Sequence, residues 1–248
     1  YFAIKRVYLF QQIISMKDKI SIAVATYNGE RYLREQLDSL YSQTMLPDEI
    51  IVVDDCSTDN TITILEEYHQ RYGLKYYVNE KNLGVNKNFE KAILLCNGDY
   101  IALCDQDDVW LPHKIETTYK KIKEIENNEP ALVSSLNISV DKDLNVLSKP
   151  KPKEGTDLNA TDYSKTLLGH YSQGCTLMMN RKLVKQIIPL PENEIVYDIY
   201  IGLVAAMIGN KCIINEPLML YRHHNNNVLG KINNEKKNIS KKFKCFYK

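Results

Sequence analysis

Four short apolar runs, each followed by residues recurring at helical spacing, restrict the first hundred residues to a small set of folds. Ile20 to Ala25 is β-branched and apolar, ends in Thr26-Tyr27-Asn28-Gly29, and is followed by Leu33, Leu37 and Leu40. Glu49 to Val53 ends in Asp54-Asp55, and Ser57-Thr58-Asp59 offers caps for a helix carrying Ile62, Leu65 and Tyr72 that Gly73 closes. Lys75 to Val78 precedes a third helix over Lys87 to Cys96, with Phe89, Ile93 and Leu94 facing inward, and Asn97-Gly98 stops it before the strand Tyr100 to Cys104. Strands that are apolar on both faces and alternate with helices predict a parallel sheet with helices on both sides, joined by right-handed crossovers.

In such a sheet a ligand binds beyond the carboxyl ends of the strands. Those ends carry Tyr27-Asn28, Asp54-Asp55, Asn79 to Gly84 and Asp105-Gln106-Asp107-Asp108. Clustered like charges cost stability unless something neutralises them, and oxygen ligands on a short loop suit Mg2+ or Mn2+, so Asp105-x-Asp107 predicts a cation and diphosphate site. The alternative reading is a solvated acidic turn capping the helix that starts near Pro112.

Beyond Trp110 the pattern changes. Lys114 to Glu126 reads as an amphipathic helix, Ala131 to Val140 as a strand, Asp141 to Asn145 as a turn, and residues 149–155 as a polar, Pro-containing excursion. A helix from about Asp162 to His170, a strand Cys175 to Met179, a helix Arg181 to Ile188, a helix Ile199 to Ile208 opened by Asp198, and strands Lys211 to Ile214 and Leu218 to Tyr221 follow. The expected organisation is an extension of unassigned role over 1–18, a nucleotide-binding half over 19–112, an acceptor-side half of the same domain over 113–230, and a basic tail over 231–248. The tail holds seven Lys and one Glu, a local +6 against a formal total of +1, which leaves −5 for the body. That charge suits either a disordered end or contact with anionic lipid, and does not imply nucleic acid. Six cysteines without a CxxC pair predict free thiols in a reducing compartment. With no apolar run of membrane-spanning length and no signal-peptide pattern, the body is expected in the cytosol. GxGxxG after the first strand, GxxxxGK[ST], HExxH and GxSxG are all absent, which weighs against the dinucleotide-dehydrogenase, P-loop, zinc-protease and serine-hydrolase classes.

Ile20 to Asn28, Val52-Val53-Asp54-Asp55-Cys56-Ser57-Thr58-Asp59, Asn82-Leu83-Gly84, Gly98-Asp99-Tyr100 and Cys104-Asp105-Gln106-Asp107-Asp108-Val109-Trp110 resemble, in order and spacing, the inverting glycosyltransferases of family 2, which have the α/β GT-A fold. Gly174 to Arg181, Tyr197-Asp198-Ile199-Tyr200, Glu216-Pro217-Leu218 and Tyr221-Arg222-His223-His224 extend the likeness toward a bacterial rhamnosyltransferase-like branch. The resemblance implies a metal-dependent transferase that moves a sugar from a nucleoside-diphosphate donor, dTDP-rhamnose or a UDP-hexose, to a saccharide or lipid-linked acceptor of the cell surface. It puts Tyr27 and Asp55 at the base, with Asn28 and Asn82 assisting, Asp105 at the ribose, Asp107 and His224 at the Mn2+ or Mg2+ ion, and Asp198 as catalytic base. Asp108, which orients either the loop or an acceptor sugar, falls with Trp110, Gly174 and Cys175 on the acceptor side. Asp55 and Asp198 have a second reading as helix caps. Tyr197 stands where many relatives carry His and Ile199 where an aromatic is common, so the acceptor pocket is expected to differ. Two rival classes share parts of the pattern: an inactive sugar-binding or scaffold subunit of the same fold, and a receiver-like signalling module suggested by Asp54-Asp55.

Overall fold

The computed structural model describes residues 18–150, 158–159, 173–192 and 195–224. The first half runs β1 (Ile20–Thr26), α1 (Leu33–Tyr41), β2 (Glu49–Asp54), α2 (Thr61–Tyr72), β3 (Lys75–Val78), α3 (Val85–Leu95) and β4 (Tyr100–Cys104). The strands pair in parallel in the order β3, β2, β1, β4. After β3 the chain returns to the other side of β1, so the order reverses between β1 and β4. A crevice opens at such a switch point, and Thr26 and Asp105 stand at its two walls.

The sheet continues without a break into the second half. β5 (Val109–Trp110), α4 (Lys114–Ile125), β6 (Ala131–Val140), β7 (Val146–Ser148), β8 (Leu158–Asn159), β9 (Met178–Asn180), α5 (Arg181–Ile187), α6 (Tyr197–Ile208) and β10 (Asn210–Arg222) follow. β9 joins β4 to β6, antiparallel to both; β10 lies parallel to β6 and antiparallel to β5. The result is one mixed α/β sheet whose parallel half carries the switch point.

The alternation of side chains along β1 explains why both faces are covered. Ile22 and Val24 point into a core with Leu33, Leu37 and Leu40 of α1, Leu65 of α2 and Ile115 of α4. Ala23 points into the opposite core, with Phe89 and Ile93 of α3, Leu183 of α5 and Ile201 of α6. Truncating a fully buried leucine such as Leu37 to alanine costs about 2–5 kcal/mol, a large share of a domain's net stability.

Several local expectations are corrected. Leu94 is exposed, because the inward stripe of α3 runs through Phe89, Ala92 and Ile93. Cys175 lies in a 3-10 turn over Gly174–Thr176, and only Met178–Asn180 is strand. Lys211 to Tyr221 is one strand, not two. Pro217 has no N–H for the ladder, so the register with β6 shifts on either side of it and then resumes. Helix α6 starts two residues earlier than expected and Val196 is its N-cap, so Asp198 sits inside the first turn and does not cap it. No acid of the 105–108 loop caps α4, whose N-cap is His113. The 162–170 helix, most of the 149–155 excursion, the N-terminal extension up to residue 17 and the basic tail lie outside the described residues.

Candidate active site

The polar strand ends are tied to one another by side chains that the motifs supply. Asp54 is fully buried and accepts from the Thr26 hydroxyl (2.9 Å), the Ser57 amide (2.8 Å) and the Ser57 hydroxyl (2.5 Å), so it locks the β2 turn to the end of β1. Asn28, with φ of 49°, donates its amide to Ser57 Oγ and accepts the Thr58 amide on its side chain, both at 2.8 Å. Asn tolerates that left-handed conformation better than most residues. The Tyr27 ring stays 48% exposed at the crevice and offers a free aromatic face.

Asp55 is almost fully buried. Its carboxylate accepts from the amides of Leu83 (2.7 Å) and Gly84 (2.9 Å) and from the side chain of Asn79 (2.8 Å). A carboxylate offers about four acceptor directions, so one remains for a ligand donor. Asn82 braces the same turn, donating to the Asp55 carbonyl at 3.3 Å and accepting the Gly84 amide at 3.1 Å. Asn79 and Asn88, bonded to each other at 2.9 Å beneath this turn, complete the network.

Gln106 was not singled out from the sequence, yet it joins the two walls of the crevice. Its side-chain amide accepts from the Tyr27 amide at 2.8 Å and donates to the Tyr27 carbonyl at 3.0 Å. A Cβ at Gly29 would meet that same Gln106 amide and displace it from Tyr27.

The acidic loop divides by environment. Asp107 meets His224, whose Nε2 lies 2.7 Å from Asp107 Oδ2, with both side chains largely shielded. Asp105 is pushed up to about 7, first by burial and then by the Asp107 and Asp198 carboxylates, while Cys175 and Tyr197 hydrogen bonds act in the opposite direction. Asp108 is raised well above the ordinary range by burial and then by the Asp107 and Asp105 carboxylates. It is wholly inaccessible, and its Oδ1 accepts the Arg222 amide at 3.0 Å. Trp110 is also buried, in the core beneath the loop, with the Lys114 ammonium 4.6 Å from its ring centroid. Neither residue presents a surface to a sugar, so the expected acceptor contacts of Asp108 and Trp110 give way to roles inside the framework.

Lys114 is a second component that sequence reading missed. Buried against Cys104, Cys175 and Asp108, it is lowered to about 8 by desolvation, and it places a cation under the cluster of acids.

On the far side of the crevice, Asp198 is 4% exposed. Its Oδ2 accepts the Gly174 amide at 3.1 Å and its Oδ1 the Ile199 amide at 2.7 Å. Burial raises its pKa, and those amides, which favour the charged form, limit the rise. Gly174 leaves room for the Tyr197 hydroxyl, which a Cβ at 174 would strike. The Tyr197 ring packs against Phe89 at a tilt of 30°, with ring centroids 4.3 Å apart. Gly174 and Cys175 are buried beside Asp198 and Asp105 and, like Asp108 and Trp110, present no surface to a sugar.

Two groupings are candidates for holding a cation. Asp105, Asp108 and Cys175 place ligand atoms within 4.8 Å of one another. The Cys175 thiol, however, is driven well above its usual range by burial beside two carboxylates, and a protonated thiol is a poor ligand. Asp107 and His224 converge without that defect. A carboxylate oxygen with an imidazole nitrogen fits Mn2+ better than the all-oxygen preference of Mg2+. Among the described residues no helix is long and apolar enough to cross a membrane.

Comparison with known proteins places this geometry in context. The model of glycosyl transferase family 2 matches residues 21–188. An uncharacterised glycosyltransferase of Methanocaldococcus jannaschii is 31% identical over 229 residues, which is 89% of this chain and 76% of the relative. The chondroitin synthase of Escherichia coli is 30% identical over 129 residues, 52% of this chain but only 18% of that enzyme. Among solved structures, Staphylococcus aureus TarS in complex with UDP-GlcNAc superposes with a TM-score of 0.69 at 24% identity, covering 84% of this chain and 60% of TarS. The mixed α/β fold is therefore that of the GT-A glycosyltransferases, and the chain spans under two thirds of TarS.

Proposed function

Because the chain belongs to glycosyl transferase family 2, we propose that it is an inverting transferase that takes a sugar from a nucleoside-diphosphate donor to a saccharide or lipid-linked acceptor in bacterial surface-polysaccharide synthesis. The observation that carries this reading is the convergence of Asp105, Asp107 and Asp198 at one end of the sheet, beside the exposed Tyr27 ring. Structural proteins have little need to gather three acids in a crevice, since the repulsion among them costs stability that a bound cation would offset.

The residues suggest a division of labour. The Tyr27 face stacks on the base and the free direction of Asp55 accepts from its ring N–H. Asp105 takes a ribose hydroxyl. Asp107 and His224 hold a divalent cation, Mn2+ before Mg2+, which supplies positive charge to the leaving diphosphate. Asp198 removes the proton of the acceptor hydroxyl as that oxygen bonds to the anomeric carbon from the side opposite the leaving group. The bond from that carbon to the diphosphate oxygen breaks, the electron pair leaves with the diphosphate, and the configuration inverts. One carboxylate suffices for a single displacement of this kind.

The donor is either a UDP-hexose, as for the UDP-GlcNAc bound to TarS, or dTDP-rhamnose, as the resemblance implies. A screen of nucleotide sugars with Mn2+, read as nucleoside diphosphate released, tests the reading. Release from one donor, enhanced by an acceptor, is expected; no release from any, together with no thermal stabilisation by UDP or dTDP, would favour an inactive scaffold subunit.

The seven lysines of residues 231–248 suit an enzyme whose acceptor is lipid-linked, since each Lys near an anionic surface adds on the order of 1 kcal/mol. Flotation with anionic vesicles is expected to carry the full chain but not a form ending at residue 230. Equal recovery with neutral vesicles would sever the tail from any membrane role.

A further inference from the structure

The residue that grips the acidic loop most firmly is a buried arginine that the mechanism above does not use. Arg222 is 1% exposed at the end of β10, two residues before His224. Its backbone amide donates to Asp108 Oδ1 at 3.0 Å, and its Nε donates to the Asp107 carbonyl at 2.8 Å. Nη1 donates to the Lys142 carbonyl at 2.7 Å, in the turn between β6 and β7, and Nη2 donates to Glu35 on α1. The guanidinium lies 4.5 Å from the centre of the Tyr32 ring, against which His224 also packs, at 4.9 Å between ring centroids.

Burying a guanidinium costs several kcal/mol before any partner is counted. An apolar side chain would pack against Tyr32 without that penalty. What such a side chain lacks is the planar fork, which bonds several fixed acceptors in one orientation, and a lysine lacks it too. Here the acceptors belong to three separate segments, and one of them is the carbonyl of Asp107 itself.

We propose that Arg222, held from α1 by Glu35, is a positioning residue that sets the Asp107 and His224 side chains at the spacing a divalent cation requires. The proposal rests on the reading of those two residues as cation ligands. Neither Arg222 nor Glu35 touches the cation. Arg222 fixes the backbone of one ligand, and with Tyr32 it walls in the ring of the other.

The test compares the full-length wild type with Arg222→Lys and Glu35→Gln. Lysine keeps the charge and loses the fork, and Glu35, 54% exposed at its side chain, can be changed without opening the core. Mn2+ titrated calorimetrically in saturating UDP is expected to bind about 10-fold more weakly to Arg222→Lys, the scale on which supporting residues act. Glu35→Gln should shift affinity in the same direction by less. Hydrogen exchange without any metal is expected to quicken at residues 105–110 in both variants, with β1 and β2 unchanged. Mn2+ affinity within twofold of wild type in Arg222→Lys, or unchanged exchange at 105–110, would overturn the brace. If the wild type itself takes up no Mn2+, the cation reading falls, and with it the purpose assigned to the brace. Exchange then reports only whether Arg222 holds the loop.

Discussion

Replacing Asp107 by asparagine is expected to abolish most of the Mn2+ dependence of UDP binding while leaving the fold intact. Residues that merely support a metal ligand cost 10- to 100-fold when removed, so losing a ligand itself should weaken Mn2+-dependent binding by at least about 100-fold. Asp107 shares its loop with Asp105 and Asp108, and both are pushed toward the neutral form partly by its charge. Without a cation, removing that charge relieves repulsion. The melting temperature of the metal-free variant should therefore equal or exceed that of the metal-free wild type. Calorimetry with UDP in Mn2+ and in EDTA separates the two effects: the wild type should lose affinity in EDTA and Asp107→Asn should not change. Equal affinity of the two proteins in Mn2+ would remove Asp107 from the cation site.

The parts of this molecule that were legible in the sequence share a physical cause. β1, β2 and β4 are buried on both faces, so they appear as unbroken apolar runs, and their carboxyl ends stand out because polar residues follow at once. β5, two residues long, leaves no such trace, and of the expected strand Cys175 to Met179 only Met178 and Met179 fall in β9, since pairing with β10, β4 and β6 defines these short strands rather than their own composition. The site shows the same division. Asp107 and His224, 117 positions apart, were paired by resemblance, and the fold brings them to 2.7 Å. The supports were not legible. Gln106 and Lys114 look like surface residues in a linear reading and Arg222 enters only as part of a motif; distant partners such as Met219 for Lys114 and Glu35 for Arg222, 105 and 187 positions away, reveal that they are framework. Asp108 and Trp110 differ in the opposite sense: they sit in the most suggestive stretch of the chain but are buried, and of the two roles read for Asp108 its bond to the Arg222 amide fits the orienting of the loop. A motif locates a loop, and the direction of each side chain then depends on strands that come much later.

Asp198→Asn is expected to lower turnover by about 10^2- to 10^4-fold, the usual worth of a general base, with little change in donor affinity. Three features of the site make this a test of chemistry rather than of folding. The N-cap of α6 is Val196, so the substitution does not remove the cap. Asparagine retains an oxygen that can accept the Gly174 amide. The third is electrostatic. Burial raises the Asp198 carboxyl in the folded protein above its value of about 3.9 in an unfolded chain, so the native state binds this proton more tightly. A group shifted that way contributes stability at low pH that is lost as pH rises through its native pKa. At neutral pH the buried charge is a cost, and the asparagine variant should melt no lower than the wild type. The same shift predicts a pH signature. Turnover of the wild type should fall, as pH drops, at a higher pH than an ordinary aspartate would produce, because the base must be ionised to accept a proton, and Asp198→Asn should lack that limb. Glu216 lies on an exposed surface paired with His113 at 3.1 Å and is poorly placed to substitute. A folded Asp198→Asn protein, checked by circular dichroism, with near-normal turnover and an unaltered acid limb would show that the proton is taken elsewhere.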